Sequence, residues 1–402
     1  MKMISHKFLI FTILVFIFIF SYFFNSNIYE YKETIEYSTN SSIYSIIPLS
    51  NSKFIMISSV TEKSVFRYPN GGVEMKFWPA KGKIQIISLN KSGTIIQEWE
   101  YTGNKAKIFS YPVLIDYNGD DNRGFIVANQ KSRFKSNNES DLEVILFQES
   151  NGTYFKKVIF SSSTLYVNDI DAVDLDNNNN KDLILVGYDM KTKNGFLIIF
   201  INTGNNFSRS IMYNYENIIT NVGHFDFNSD SKQDLVITEY LNNGKEGKVS
   251  LFINMQDLNF SKYWEQNFKC NVMSNLNVFD NKIIFSCKER IYLISMNDKA
   301  EIKKISVYRN FYPITSLSIG DFDGDGIDEF CAATTNNLEQ KMRPEIIIFK
   351  IKNDNLKKVF NYTFSRDSWA FSCAPIINNN DNEKMILVGT DKNLLKLSVK
   401  KR

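Results

Sequence analysis

Histidine is almost missing from this chain: its 402 residues hold two, His6 and His224. No three-ligand zinc set can be assembled from them, and a Ser-His-Asp or Cys-His constellation would have to rest on His224, which beside a strand reads as a structural residue. Cysteine is sparse as well. The four, Cys270, Cys287, Cys331 and Cys373, show no C-x-x-C spacing, so neither zinc nor a redox dithiol is indicated. They sit in or beside strand-like runs, which leaves open two disulfides in any of three connectivities, or buried thiols. There are seven prolines, no long helical periodicity and no block of like charge; 47 Lys and Arg face 44 Asp and Glu, a net charge of +3. That balance, with no recognition motif beside it, excludes nucleic acid as the expected partner. Asn70-Gly71-Gly72 is a turn signal that lacks the Lys-Ser/Thr of a phosphate-binding loop.

The longest apolar run is Phe8 to Phe24, seventeen residues interrupted only by Thr12 and Ser21 and preceded by Lys2 and Lys7. Bulky Tyr22-Phe23-Phe24 leaves no small-residue cleavage site. The expectation is an uncleaved signal anchor over residues 1–27, a transmembrane helix with its lysines inside and the body from residue 28 outside, periplasmic or at the cell surface. The alternative is a cleaved signal peptide and a secreted protein. From residue 30 onward, apolar runs of four to eight residues alternate with Asn, Gly, Asp and Ser clusters, which is the text of short antiparallel strands.

Ile319 to Phe330 reads I-G-D-F-D-G-D-G-I-D-E-F and places Asp321, Asp323, Asp325 and Glu329 on a tight loop between two strand-like runs. Alternate residues of such a loop turn their oxygens to one centre, which suits a hard cation with six to eight oxygen ligands, calcium first. Without an ion, this crowding would raise the carboxyl pKa values and oppose folding of the loop. The same oxygens at loop positions 1, 3, 5 and 9 recur at Asp174, Asp176, Asn178 and Asp182, and at Asp226, Asn228, Asp230 and Asp234. A worn copy keeps Asp116, Asn118 and Asp120 but has Gly124 at the last position. Two to four structural calcium ions follow as the expectation. The competing reading is that Asp, Asn and Gly here make turns and nothing more.

The loop starts at 116, 174, 226 and 321 lie 58, 52 and 95 residues apart, the last interval being close to two repeats. A loop-free copy fills that gap at Leu276 to Phe285, another lies at Ile376 to Asp391, and the faintest runs from Ile43 to Ile57. Within the third repeat the strands read Val167 to Val173 (A), Leu183 to Tyr188 (B), Phe196 to Ile201 (C) and Phe207 to Tyr213 (D). Four antiparallel strands in about fifty residues make a propeller blade. The last repeat lacks a fourth strand, and residues 31–38 have no blade of their own. Placed as that missing outer strand they close the ring and cover a sheet edge. The fold class expected is therefore all-β: a seven-bladed β-propeller of four-stranded antiparallel blades over 28–402, preceded by an N-terminal transmembrane helix.

D-F-D-G-D-G-I-D-E-F, G-H-F-D-F-N-S-D-S-K-Q-D-L and D-L-D-N-N-N-N-K-D-L resemble the FG-GAP repeat, also described as the VCBS-like repeat, of integrin alpha-type propellers and many bacterial exported proteins. The resemblance implies that calcium loops join strands A and B on one face, and that a protein or glycan ligand binds the opposite face. On that face the longest connections are Val60 to Lys81, with Arg67, Tyr68 and Trp78, and Gln130 to Asp141, with Arg133 and Phe134; Thr334 to Arg343 is shorter. Function is accordingly expected to be binding, adhesion or scaffolding without catalysis. The alternatives are a propeller-fold carbohydrate-active enzyme, lyase or hydrolase, and a subunit of a cell-envelope assembly complex.

Overall fold

A computed structural model describes residues 29–38, 41–50, 52–67, 73–90, 94–104, 107–117, 124–131, 141–204, 206–241, 245–256, 258–270, 273–310, 312–323, 325–335, 343–364, 370–376, 384–391 and 393–401. The apolar run at 8–24 lies outside them, and among the described residues no helix is long and apolar enough to cross a membrane. The described strands form seven antiparallel sheets. They are the blades of an all-β, seven-bladed propeller, and its four-stranded pattern follows the period-2 alternation of the sequence.

Blade 3 shows the plan: inner strand A is Leu165–Val173, followed by B Asp182–Asp189, C Gly195–Asn202 and outer D Phe207–Tyr215. B and C are apolar on both faces because neighbouring blades cover both, whereas outer D strands expose most of their residues, and in Ile302–Arg309 of blade 5 the exposure alternates. Blade 7 is built from Ala370–Ile376, Lys384–Thr390 and Asn393–Lys401, with Tyr29–Ser38 pairing antiparallel to the last of these. N- and C-terminal strands thus share one sheet.

The core lies between blades. Among the described residues, seven large buried clusters, one per interface, run around the ring, beside a small one at Tyr166, Tyr188 and Met190; the one joining blades 7 and 1 packs Ile43, Phe54 and Met56 against Ala374, Leu387 and Leu394. Large side chains such as Phe330, 1% exposed, are each worth about 1.5–3 kcal/mol of burial. Two disulfides answer the cysteine question: Cys270–Cys287 ties the connection after strand D of blade 4 to the end of strand B of blade 5, and Cys331–Cys373 joins strand B of blade 6 to strand A of blade 7.

Each inner strand breaks register near its start. The skipped residues include Tyr44, Asn168, Thr220, Thr315 and Phe371, and in blade 2 strand A is split into Lys107–Phe109 and Val113–Ile115. Such bulges re-aim one side chain out of the pleat. Here they reach the next blade: the Tyr44 hydroxyl donates to the Phe109 carbonyl at 3.0 Å, Asn168 Nδ2 to Ile219 at 2.6 Å, and Thr315 Oγ1 to Ala370 at 2.8 Å.

One expectation needs correction. The Val60 to Lys81 connection is largely a two-stranded ribbon, since strands Lys53–Arg67 and Val73–Leu89 stay paired from Thr61↔Pro79 to Arg67↔Val73. Its cause is legible in the sequence, where Val65, Phe66, Val73, Met75, Phe77 and Trp78, all of high strand propensity or apolar, flank Asn70-Gly71-Gly72. The ribbon carries seven residues per arm, 61–67 and 73–79, beyond the four-stranded part, a reach of about 20 Å. Of the other two connections, residues 132–140 and 336–342 lie outside the described residues.

Candidate functional site

Three acidic loops leave the ring at the C-terminal ends of strands A in blades 3, 4 and 6, and their backbones obey one pattern. Position 1 accepts two amide hydrogens: Asn178 and Asn179 donate to Asp174 (3.0 and 2.7 Å), Asp230 and Ser231 to Asp226 (3.0 and 2.8 Å), Asp325 and Gly326 to Asp321 (3.1 and 3.0 Å). Position 9 accepts the amide of position 2, from Leu175 to Asp182 (2.9 Å), Phe227 to Asp234 (3.0 Å) and Phe322 to Glu329 (2.9 Å). The apolar residue at position 2 is buried in each and plugs the loop into the blade. Left-handed backbone at Asn177 and Asn179, at Ser229 and Ser231, and at Gly326 winds the loop back on itself, so that positions 1, 3 and 5 share one side.

Beyond the backbone the loops differ. In blade 3, oxygens of Asp174, Asp176 and Asp182 lie within 4.8 Å of one another. Among the described residues no ammonium or guanidinium group pairs with them, and the same holds for Asp226, Asp230 and Asp234 in blade 4, where Lys232 Nζ instead donates to the Met255 carbonyl at 2.5 Å. Asp182 and Asp234 are fully buried. Burial first pushes each carboxyl up to about 6, against the backbone amides that hydrogen-bond it, and the neighbouring aspartates add to the rise. Each also accepts an amide from the end of strand C, Asn202 to Asp182 at 2.8 Å and Asn254 to Asp234 at 2.9 Å. Asn254 in turn donates its side-chain amide to Leu175 of the preceding loop at 3.0 Å, linking one candidate site to the next. In blade 3, close anionic oxygens without a side-chain cation fit a divalent ion.

Blade 6 holds its own cation. The Lys350 ammonium stands 2.9 Å from Asp323 Oδ2 and 3.1 Å from Glu329 Oε1, and also pairs with Asp325 Oδ2. Burial alone would lower the pKa of this lysine, but the three carboxylates hold it above its ordinary value, and Lys350 in return keeps Asp325 below the usual carboxylate range. Strand register places Lys350 where blades 3 and 4 carry Ile201 and Ile253. The loop that best matches the expected calcium pattern in sequence also clusters its acids, with oxygens of Asp321, Asp323 and Asp325 within 4.8 Å of one another, but it has an ammonium group beside them. Aligning the three C strands would expose it. Of the worn copy, Asp116 is described and half-buried, whereas Asn118 and Asp120 lie outside the described residues.

His224 belongs to the channel wall. Its Nδ1 lies 2.6 Å from Asp171 Oδ2 across the inner strands of blades 3 and 4. One turn of the pleat away, Asp169 accepts amides from Val222 (3.2 Å) and Asn221 Nδ2 (3.3 Å); burial pushes its carboxyl up to about 7 despite these bonds.

Antiparallel blades place the B–C and D–A connections on the face opposite the acidic loops, and two cavities open there. At the channel mouth, Tyr111, Asn168, Tyr188, Lys193, Thr220 and Asn275 line about 610 Å³. Tyr111 keeps 42% of its surface exposed, and the protein gathered around its ring, with the nearby Asp169 carboxyl, pushes its hydroxyl up to about 12. The second cavity, about 400 Å³, is lined by Lys245, Lys269, Lys288, Glu289 and Arg290 around the Cys270–Cys287 disulfide. Composition gives no sign of this basic cluster, because its residues come from three separate turns.

No family model matches the chain, and no curated protein sequence matches it. Solved structures do resemble it in fold. Sqt1 of Saccharomyces cerevisiae superposes with a TM-score of 0.55 at 9% identity, over 91% of this chain and 97% of that one. The Dos1 propeller gives 0.54 at 9% identity, over 92% and 94% of the two chains. BBS1N, solved in complex with ARL6DN, gives 0.51 at 10%, over 93% and 97%. At such identities the likeness concerns the propeller architecture alone.

Proposed function

We propose that this chain is an exported, membrane-anchored propeller of the FG-GAP type that holds calcium in blades 3 and 4 and binds a protein or glycan partner through the opposite face. The observation that carries the reading is the crowding of Asp174, Asp176 and Asp182 oxygens within 4.8 Å with no side-chain cation among the described residues. Calcium would be held by Asp174, Asp176, Asn178 and Asp182 in one loop and by Asp226, Asn228, Asp230 and Asp234 in the next. It would supply the neutralising charge that these residues lack. The two disulfides favour an oxidising compartment, where extracellular calcium is abundant, and the run at 8–24 would anchor the protein there. A binding role is favoured over catalysis because His224 and Asp169 are each engaged in bonds between blades.

The test is a thermal melt of the full chain in EDTA and across a calcium titration. Ion binding to the folded state alone should stabilise it by roughly 2.7 kcal/mol per site at one hundred times the dissociation constant. Magnesium at the same concentration should do less, being smaller and more reluctant to shed water. An unchanged melt in calcium would reduce the loops to plain turns.

A further inference from the structure

We infer that the cavity around the Cys270–Cys287 disulfide is a binding site for an anionic unit of a glycan, a sugar carrying carboxylate, phosphate or sulfate. The inference deepens the reading of the opposite face as the binding face and rests on it, but not on calcium.

Lys245, Lys269, Lys288 and Arg290 line about 400 Å³ together with Glu289, whose charge acts on Arg290. Among the described residues neither Lys269 nor Lys288 has a carboxylate partner, and the guanidinium of Arg290 donates to a neutral group, the Tyr292 hydroxyl, at 3.2 Å. Like charges left to themselves separate, and here the covalent chemistry prevents it. Lys269 precedes Cys270 and Lys288 follows Cys287, so the disulfide, with its Cα atoms 5.8 Å apart, holds the backbone segments that carry the two lysines close together. Lys288 is also held in left-handed backbone (φ 50°), a conformation a lysine does not choose unaided. Two hydrogen bonds pin that turn: Ile314, which opens strand A of blade 6, donates to the Lys288 carbonyl, and Asn310, just after strand D of blade 5, donates to that of Glu289, both at 2.7 Å. Strain, cross-link and pinning all act to hold the charges of Lys269 and Lys288 around a hollow, which is the arrangement that receives an oxyanion.

The neighbouring cavity favours a glycan over an acidic peptide. Cys270 walls the basic hollow and Met273, three residues on, walls the channel mouth, where Tyr111, Tyr188 and Tyr240 stand among the amides of Asn168 and Asn275. Phenol faces and amides suit a polyhydroxylated ring, so one chain can set its charged unit in the first hollow and a neutral unit in the second.

The test is calorimetric titration of the full chain, in detergent and with calcium present, with a short oligogalacturonide, a heparin-derived oligosaccharide, a neutral malto-oligosaccharide and an oligo-aspartate of matched charge. The anionic sugars should bind, weakening as salt rises, and the neutral sugar should not. Lys269→Gln with Lys288→Gln should weaken binding by roughly tenfold or more, with the calcium-dependent melt unchanged. A control that removes two exposed lysines from an outer strand, Lys357→Gln with Lys358→Gln, should leave affinity intact. Equal binding of oligo-aspartate, equal weakening by the control, or no binding of either anionic sugar would each overturn the inference. The calcium melt tests the proposed function separately, so failure of one does not imply failure of the other.

Discussion

Blade 4 and blade 6 carry the same loop and solve its electrostatic problem differently. Both cage a buried acid at position 9, Asp234 and Glu329, and both receive the position-2 amide on it. In blade 4 the cage has no side-chain cation among the described residues and Asp234 is pushed up to about 6; in blade 6 Lys350 bridges three carboxylates and Asp325 is pulled down. The difference teaches that a metal-loop motif states how many anions must be neutralised, not what neutralises them. That choice is made on strand C, about twenty residues later, by Ile253 or Lys350. A third solution lies in the channel wall, where burial of Asp169 favours its protonated form near neutral pH.

The largest effect should come from breaking blade 4. Asp234→Ala removes the proposed calcium ligand and leaves the amides of Phe227 and Asn254 buried without an acceptor. At about 1–3 kcal/mol for each orphaned amide plus roughly 2.7 kcal/mol of lost ion binding, denaturant unfolding in calcium should show a deficit of about 5 kcal/mol or more. A deficit equally large in EDTA would mean that no ion was bound there.

Breaking blade 6 should cost somewhat less and respond in the opposite way to calcium. Lys350→Met leaves Glu329, with no exposed surface, beside Asp323 and Asp325 without a counter-charge. In EDTA the loss should be about 3–5 kcal/mol. Calcium should then restore it, and the number of ions bound per chain, read by native mass spectrometry, should rise by one. An unaltered ion count, with calcium giving no rescue, would show that Lys350 fills no metal position.

pH separates the two loops further. Asp182 and Asp234 have folded-state values near 6, above the ordinary value near 4 of an unfolded chain. Their contribution is therefore complete below about pH 4 and is lost as pH rises through about 6, by at most about 3 kcal/mol each. Asp325 is shifted the other way, so its contribution is present above its ordinary value and is lost as pH falls. In EDTA the melting temperature should decline between pH 4 and 7, and calcium should remove the decline. A flat profile in EDTA would show that the blade 3 and 4 carboxylates are neutralised by something else.

The blades are legible in sequence because alternation and turn chemistry are local, and the loops because Asp174, Asp226 and Asp321 repeat at blade spacing. Lys350 escapes such a reading because it meets the loop only through the pairing of Phe330 with Phe349, a register that no short window contains. The ribbon reads as a loop for a different reason: length between strand-like runs outweighs the strand propensity inside it. Lys269 and Lys288 are beyond reach, because their approach depends on which cysteines pair, and four cysteines allow three answers.

The smallest predicted effect isolates the backbone from the charges. Position 6 is left-handed in all three loops, filled by Asn179 (φ 65°), Ser231 (φ 66°) and Gly326 (φ 83°). A side chain added at Gly326 would meet no atom within 4 Å, so Gly326→Ala tests conformation with no steric clash. It should destabilise by about 1 kcal/mol, and Ser231→Gly should change stability by less, since glycine relieves the left-handed strain but loses more entropy on folding. Neither should alter the ion count, because both leave every carboxylate in place. If Gly326→Ala changed calcium stoichiometry, the balance between Lys350 and a metal would depend on the winding of the loop as well as on strand C, and strand C alone would no longer account for the contrast between the two blades.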